Sequence, residues 1–182
     1  MNDRWYALYV RSRHEKSVLE QLRAKDQEAF LPLYSVRHRW ADRWQTVSLP
    51  LFTGYVFCRF DVDKRSAVLT TTGVIDIVRA GREPAEIEDS VITAIQAVVK
   101  SPLLMEPHAG ILPGRRVILT GGPLAGLEGN VVEVKKGLRF VVSVELLNRS
   151  VLVDIDKNWI APIEGPKFNY ASAIANCAMK IA

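Results

Sequence analysis

The residues most capable of bond chemistry are too dispersed to perform it. Histidines stand at His14, His38 and His108 and cysteines at Cys58 and Cys177, and neither set has the spacing of a metal knuckle, a redox pair or a nucleophile beside its base. The carboxylates do not pair at a catalytic spacing. Gly121-Gly122-Pro123 lacks the lysine and hydroxyl residue that end a phosphate-cradling loop, so it reads as a tight turn. The expectation is no enzyme, no metal and no cofactor. What the side chains can do is make contacts. Arg11, Arg13, His14 and Lys16 gather cations where a strand gives way to a helix, and a helix N-terminus adds backbone donors for phosphate oxygens. A second basic group, Arg37, His38, Arg39 and Arg43, is flanked by Trp40 and Trp44, which suits contact with nucleic acid by charge and stacking, or tryptophans packed back on the domain.

The elements that must position these groups are legible from periodicity. Trp5–Val10 is a compact apolar run suited to a buried strand, and Ser12-Arg13-His14-Glu15 has the pattern of a capping box, predicting a helix that presents Val18, Leu19 and Leu22 as one stripe. Phe30–Tyr34 reads as a second strand, followed by a polar hairpin over 35–48 that reverses near Ala41-Asp42. Tyr55–Phe60 and Gly73–Arg79 are further strands by composition. Between Asp89 and Lys100 the residues Val91, Ile92, Ile95, Val98 and Val99 return at helical spacing, and Ser101-Pro102 closes the segment. Together these predict an α+β domain over 1–100, an antiparallel sheet with both helices on one face.

From 101 to 111 the periodicity is lost and Pro102, Pro107 and Gly110 intervene, so a linker is expected there. The stretch LPGRRVILTGGPLAGLEGNVVE, starting at Leu112, then places Gly114, Gly121, Gly122, Gly126 and Gly129 where short strands must reverse. Valine-rich runs at 131–134, 139–145 and 151–155, with turns at Lys135-Lys136-Gly137 and Asn148-Arg149-Ser150, complete a small helix-free barrel over 112–163. Its valines and Gly137 disfavour a helical alternative. The tail 164–182 has no pattern that fixes its role. The hydrophobic fraction of 48% against 24% charged argues for a folded chain, and the net charge of +4 favours polyanionic surroundings. No export signal or membrane span is read, and the cysteine usage fits a reducing cytosol, so a cytoplasmic protein without membrane partners is expected.

Gly122-Pro123, Gly126 and Gly129, with Leu127 before Glu128, resemble a KOW motif. With WYALYV at the start, PLFTGYVFCRFD in the middle and GVIDIVRAG before the second helix, residues 4–163 resemble the NusG family of transcription elongation factors, an NGN domain joined to an SH3-like KOW barrel. WYALYVR and PLFTGYVFCRFD look closer to the specialised RfaH-like branch than to the housekeeping member. Thr53 stands where most members have proline.

The resemblance implies an elongation or antitermination factor that acts by binding alone. It implies contact with the clamp helices of RNA polymerase through Tyr9, Phe52, Tyr55, Phe57 and Ile95. It also implies contact with the non-template DNA strand through Arg11, His14, Thr71 and Thr72, beside Arg13 and Lys16. Where the RfaH-like branch has a second polymerase contact, this chain reads Lys64-Arg65-Ser66. Two alternatives stand beside an operon-specific role. One is a housekeeping factor whose KOW domain engages Rho or the small ribosomal subunit, and the other is a KOW-type RNA- or ribosome-binding module.

Overall fold

Four successive residues of the first strand, Trp5 to Leu8, are buried, which a strand with one wet face does not allow. The computed structural model, which describes residues 3–40, 43–134 and 137–163, gives the reason. Strand β1 (Arg4–Val10) runs through the interior of a sheet covered on both faces. It is followed by α1 (Glu15–Ala24), β2 (Glu28–Phe30), the hairpin β3 (Leu33–Trp40) and β4 (Arg43–Pro50), and β5 (Tyr55–Phe60). Then come α2 (Ser66–Leu69), β6 (Val74–Ile77), the short pair β7 (Arg79–Ala80) and β8 (Glu83–Pro84), β9 (Glu86–Ile87) and α3 (Asp89–Lys100). The sheet has the order β2-β5-β1-β6, all antiparallel where β1 is concerned, and β9 pairs with the start of β1.

Helices α1 and α3 lie on opposite faces of this sheet, not on one face as the sequence suggested. Tyr6, Leu8 and Val10 pack with Val18 and Leu22 of α1 and with Val56, Cys58 and Phe60, whereas Trp5, Ala7 and Phe57 pack with Ile92, Ile95 and Val98 of α3. Successive residues of a strand point to opposite sides, so an unbroken apolar run in β1 requires two cores. The expected strand Phe30–Tyr34 is also divided, because β2 ends at Phe30 and β3 starts at Leu33 after Pro32, which has no N–H to give a ladder.

The capping box is not formed. The cap of α1 is His14, with no side-chain cap, and Arg13 before it has φ of 65°. Glu15 instead turns inward and accepts the Gly54 amide at 2.9 Å.

The second unit is a six-stranded antiparallel sheet of order β10-β14-β13-β12-β11-β15. Its strands are β10 (Met105–Ala109), β11 (Arg115–Leu119), β12 (Glu128–Val134), β13 (Gly137–Val144), β14 (Arg149–Ile155) and β15 (Ile160–Pro162). The expected linker 101–111 is therefore half strand. β10 pairs with β14, and Pro107 is tolerated because β10 lies at the sheet edge. The valine runs form the expected strands. One apolar core continues from Phe57 and Ile95 to Val117, Phe140, Val142 and Val153 of this sheet. A cleft between α3 and the sheet is lined by Ser90, Thr93, Arg116, Glu128, Asn130 and Ser143. The expected reversal at Ala41-Asp42, the lysines of the 135–137 turn, Cys177 and the tail 164–182 lie outside the described residues.

Candidate partner and nucleic-acid surfaces

Tyr9 and Tyr55 are cross-strand partners in β1 and β5, so their rings emerge on the same face of the sheet. The ring centroids are 5.7 Å apart with planes tilted by 48°. Tyr9 is 47% exposed and Tyr55 half-buried. The register places Phe57 one step further along that face, opposite Ala7, but there the core closes over it. Phe57 is 0% exposed, with the Phe52 ring set edge-on at 5.5 Å and Phe30 stacked at 6.2 Å. Phe52 and Ile95 are buried too. Of the five residues expected at a polymerase contact, the structure thus leaves Tyr9 and Tyr55 at the surface and assigns Phe52, Phe57 and Ile95 to the core beneath. Alternation along one strand correctly put Tyr55 and Phe57 on one face, but it does not say where along that face the cover ends.

Ile75 is a further exposed apolar residue of the sheet and was not singled out from the sequence. The ladder between β1 and β6 shifts after Tyr9, pairing Tyr9 with Asp76 and Val10 with Val74, so Ile75 is the extra residue of a bulge and is 52% exposed. A bulge is not readable from GVIDIVR. Beside it Asp76 is bonded by Arg79 at 2.9 Å, and that bond holds its carboxyl below the usual range.

The expected nucleic-acid residues meet where β1 ends. Arg11 donates its backbone N–H to Gly73 O at 2.9 Å, and Gln21 donates to Thr72 O at 3.1 Å, drawing the segment before β6 against α1. Gly73 is required by that approach, since a Cβ there would lie 2.9 Å from Val18 Cγ2 and 3.3 Å from His14 Cβ. Arg11, Arg13, His14, Lys16 and Thr72 are exposed. His14 Nδ1 lies 3.0 Å from Ser12 O, so its ring donates there and is held over its own turn.

Thr71 departs from the expectation. It is buried, and its hydroxyl accepts from Lys25 Nζ at 2.8 Å while donating to Ala67 O at 3.3 Å. Lys25 also donates to Ala67 O at 2.9 Å. Thr71 therefore ties α2 to the end of α1 and has no free hydroxyl to offer a strand of DNA.

The β3–β4 hairpin stands beside this cluster. Lys16 Nζ donates to Ser48 O at 3.2 Å, joining the start of α1 to the hairpin arm. Arg37 lies over the Trp44 ring at 5.6 Å, and Trp44 is 61% exposed. Among the described residues no group of three or more His, Cys, Asp or Glu side chains is gathered to hold a metal ion, and no helix is long and apolar enough to cross a membrane.

Comparison with known proteins bears on the family and the fold. Residues 3–96 match the family model described as transcription termination factor NusG, which covers the first unit up to the body of α3. A solved structure of Thermotoga maritima NusG, which concerns domain interaction in that protein, is similar at 20% identity, with 90% of this chain and 99% of that one covered and a TM-score of 0.54. A weaker likeness is to the MjSpt4:Spt5 complex in conformation B, at 14% identity, 88% and 97% coverage and a TM-score of 0.30. The Thermotoga match supports a shared mixed fold of antiparallel sheets and few helices. On the family match, which spans more than half of its length, this chain is a transcription factor of the NusG family.

Proposed function

We propose that the chain binds RNA polymerase at the clamp helices through the first unit and suppresses pausing or termination. The observation that carries the reading is the exposed Tyr9–Tyr55 pair on a sheet whose central strand is otherwise covered on both faces. Aromatic side chains left at the surface beside a rigid core are favoured anchors at protein interfaces. Phe52, Phe57 and Ile95 then act from beneath, fixing the backbone that presents the tyrosines. Arg11, Arg13, His14, Lys16 and Thr72 form the adjoining basic margin, which suits the non-template DNA strand in an elongation complex.

In this reading the first unit is the NGN domain, 101–104 the connection, and the six-stranded sheet the KOW domain. The glycine pattern from Gly122 to Gly129 supports that assignment. The sequences WYALYVR and PLFTGYVFCRFD favour a specialised, operon-specific factor of the RfaH-like kind. The rival is a housekeeping role, in which the KOW domain links polymerase to Rho or the small ribosomal subunit.

The test is capture of core RNA polymerase by the full chain, followed by single-round transcription through a pause site and through a Rho-dependent terminator. The proposal expects capture with shortened pauses and increased read-through at the terminator. Capture with increased termination at the Rho site favours the housekeeping role. Absence of capture, with retention of ribosomal subunits instead, overturns the polymerase reading.

A further inference from the structure

We infer that the β3–β4 hairpin is a binding arm for single-stranded nucleic acid, with Trp44 as a stacking platform and Arg37 and Arg39 as phosphate contacts. The register Arg39↔Trp44, Arg37↔Thr46 and Ser35↔Ser48 puts these side chains on one face of the two-stranded ribbon. That face carries two cations and three hydroxyl groups, and it has no carboxylate along the eight residues of either strand. Arg37, Arg39, Trp44, Thr46 and Ser48 are all exposed. Among the described residues, neither arginine is paired with an acidic side chain. A surface of one sign with no internal counterion is complementary to a polyanion.

The aromatic component distinguishes a single strand from a duplex. Arg37 covers one side of the Trp44 ring on the diagonal of the ladder, at 5.6 Å, and the residue's 61% exposure leaves ring surface open for a base. Bases in a duplex are stacked on each other and offer no free face, whereas a single strand can place one on indole. Lys16, bonded to Ser48 O, continues the basic face from the arm towards Arg11 and Arg13.

The inference does not rest on polymerase binding. The full chain is titrated into fluorescein-labelled oligonucleotides of mixed sequence, as single-stranded DNA, single-stranded RNA and duplex DNA, and anisotropy is followed against salt. Single strands of either sugar are expected to bind more tightly than duplex, and the sugar preferred identifies the natural strand. Trp44→Ala is expected to weaken single-strand binding about fivefold or more, while Trp44→Phe, which keeps a ring, retains most of it. R37A with R39A is expected to weaken it about tenfold and to make the log-log salt slope shallower by about 1.4, two phosphates at about 0.7 each. Thermal melting of each variant reports folding, and polymerase capture is scored in parallel and expected to be unchanged. Unchanged affinity and salt slope in both hairpin variants, with loss only in Arg11→Ala, would place the strand at the start of α1 and overturn the proposal. Duplex binding as tight as single-strand binding, indifferent to Trp44, would overturn it as well.

Discussion

Glu15 and Gly54 are joined across the amino-terminal unit. The buried Glu15 Oε1 accepts the Gly54 N–H at 2.9 Å, and Gly54 O in turn accepts the Val10 N–H at 2.9 Å. The start of α1, the end of β1 and the turn into β5 thus share one bonded point. That turn runs between Phe52, which anchors it in the core, and Tyr55, which it delivers to the surface. A residue that sequence pattern placed in a helix cap is therefore a brace for the aromatic pair.

Replacing Glu15 by alanine leaves a buried backbone donor without its acceptor. A loss of about 1–3 kcal/mol is expected in chemical denaturation. Glu15→Gln keeps an acceptor oxygen but forfeits the charge assistance, so its loss is expected to be smaller. Equal losses for the two variants would show that Gly54 does not draw on this bond.

Gly126, in the turn after β11, and Gly129, within β12, serve different ends. Gly129 has no unusual φ, but a Cβ there would lie 2.5 Å from Cζ of the buried Phe140 ring, which is locked in a close-packed core. Gly126 has φ of +90° and open space around it. Gly129→Ala is expected to cost about 1–3 kcal/mol through overpacking, and Gly126→Ala about 1 kcal/mol through backbone strain alone. Calorimetry of the two variants checks the order, and a larger drop in Tm for Gly126→Ala would contradict it.

Cys58 predicts a loss of stability at alkaline pH. Burial first, and the nearby Glu28 charge second, push its thiol up from 9.0 to about 12. Above pH 9 the unfolded chain releases this proton while the folded chain retains it, so the contribution is fully present below 9 and fades as pH rises towards about 12. Tyr6, raised by its own burial and then by Glu86, adds to the same slope. Urea midpoints across this range are expected to fall, and less steeply in Cys58→Ala. An identical slope in that variant would remove Cys58 as a cause.

How much of this was readable in advance depended on how local each signal is. α3 and β5 occupy the spans that apolar periodicity and strand composition gave them, because each is specified by its own residues. The valine runs became β12, β13 and β14 for the same reason. Opposite placement of the helices was written in RWYALYV, whose unbroken burial excludes a one-sided sheet, yet it shows only once β1 is known to be interior. β10 was hidden because five residues containing a proline read as linker until β14 supplies the partner edge. At the candidate surfaces, the sequence pointed to Tyr9 and Tyr55 through the family resemblance and to Arg11 and His14 by their charge. It could not separate the tyrosines from Phe57 beneath them, detect the bulge that exposes Ile75, or see that Lys25 occupies the Thr71 hydroxyl. Each of those is decided by a neighbour distant in sequence.

The most direct measurement is polymerase capture by the full chain carrying Tyr9→Ala and Tyr55→Ala together, with Tm recorded alongside. Because Tyr9 is 47% exposed and its partner half-buried, the pair contributes less to folding than to a surface, and the variant is expected to stay folded with a modest drop in Tm. Loss of capture by about tenfold or more is the result the polymerase-binding reading predicts, as for paired aromatic anchors at an interface. A folded double variant that captures polymerase as well as the unchanged chain would contradict it.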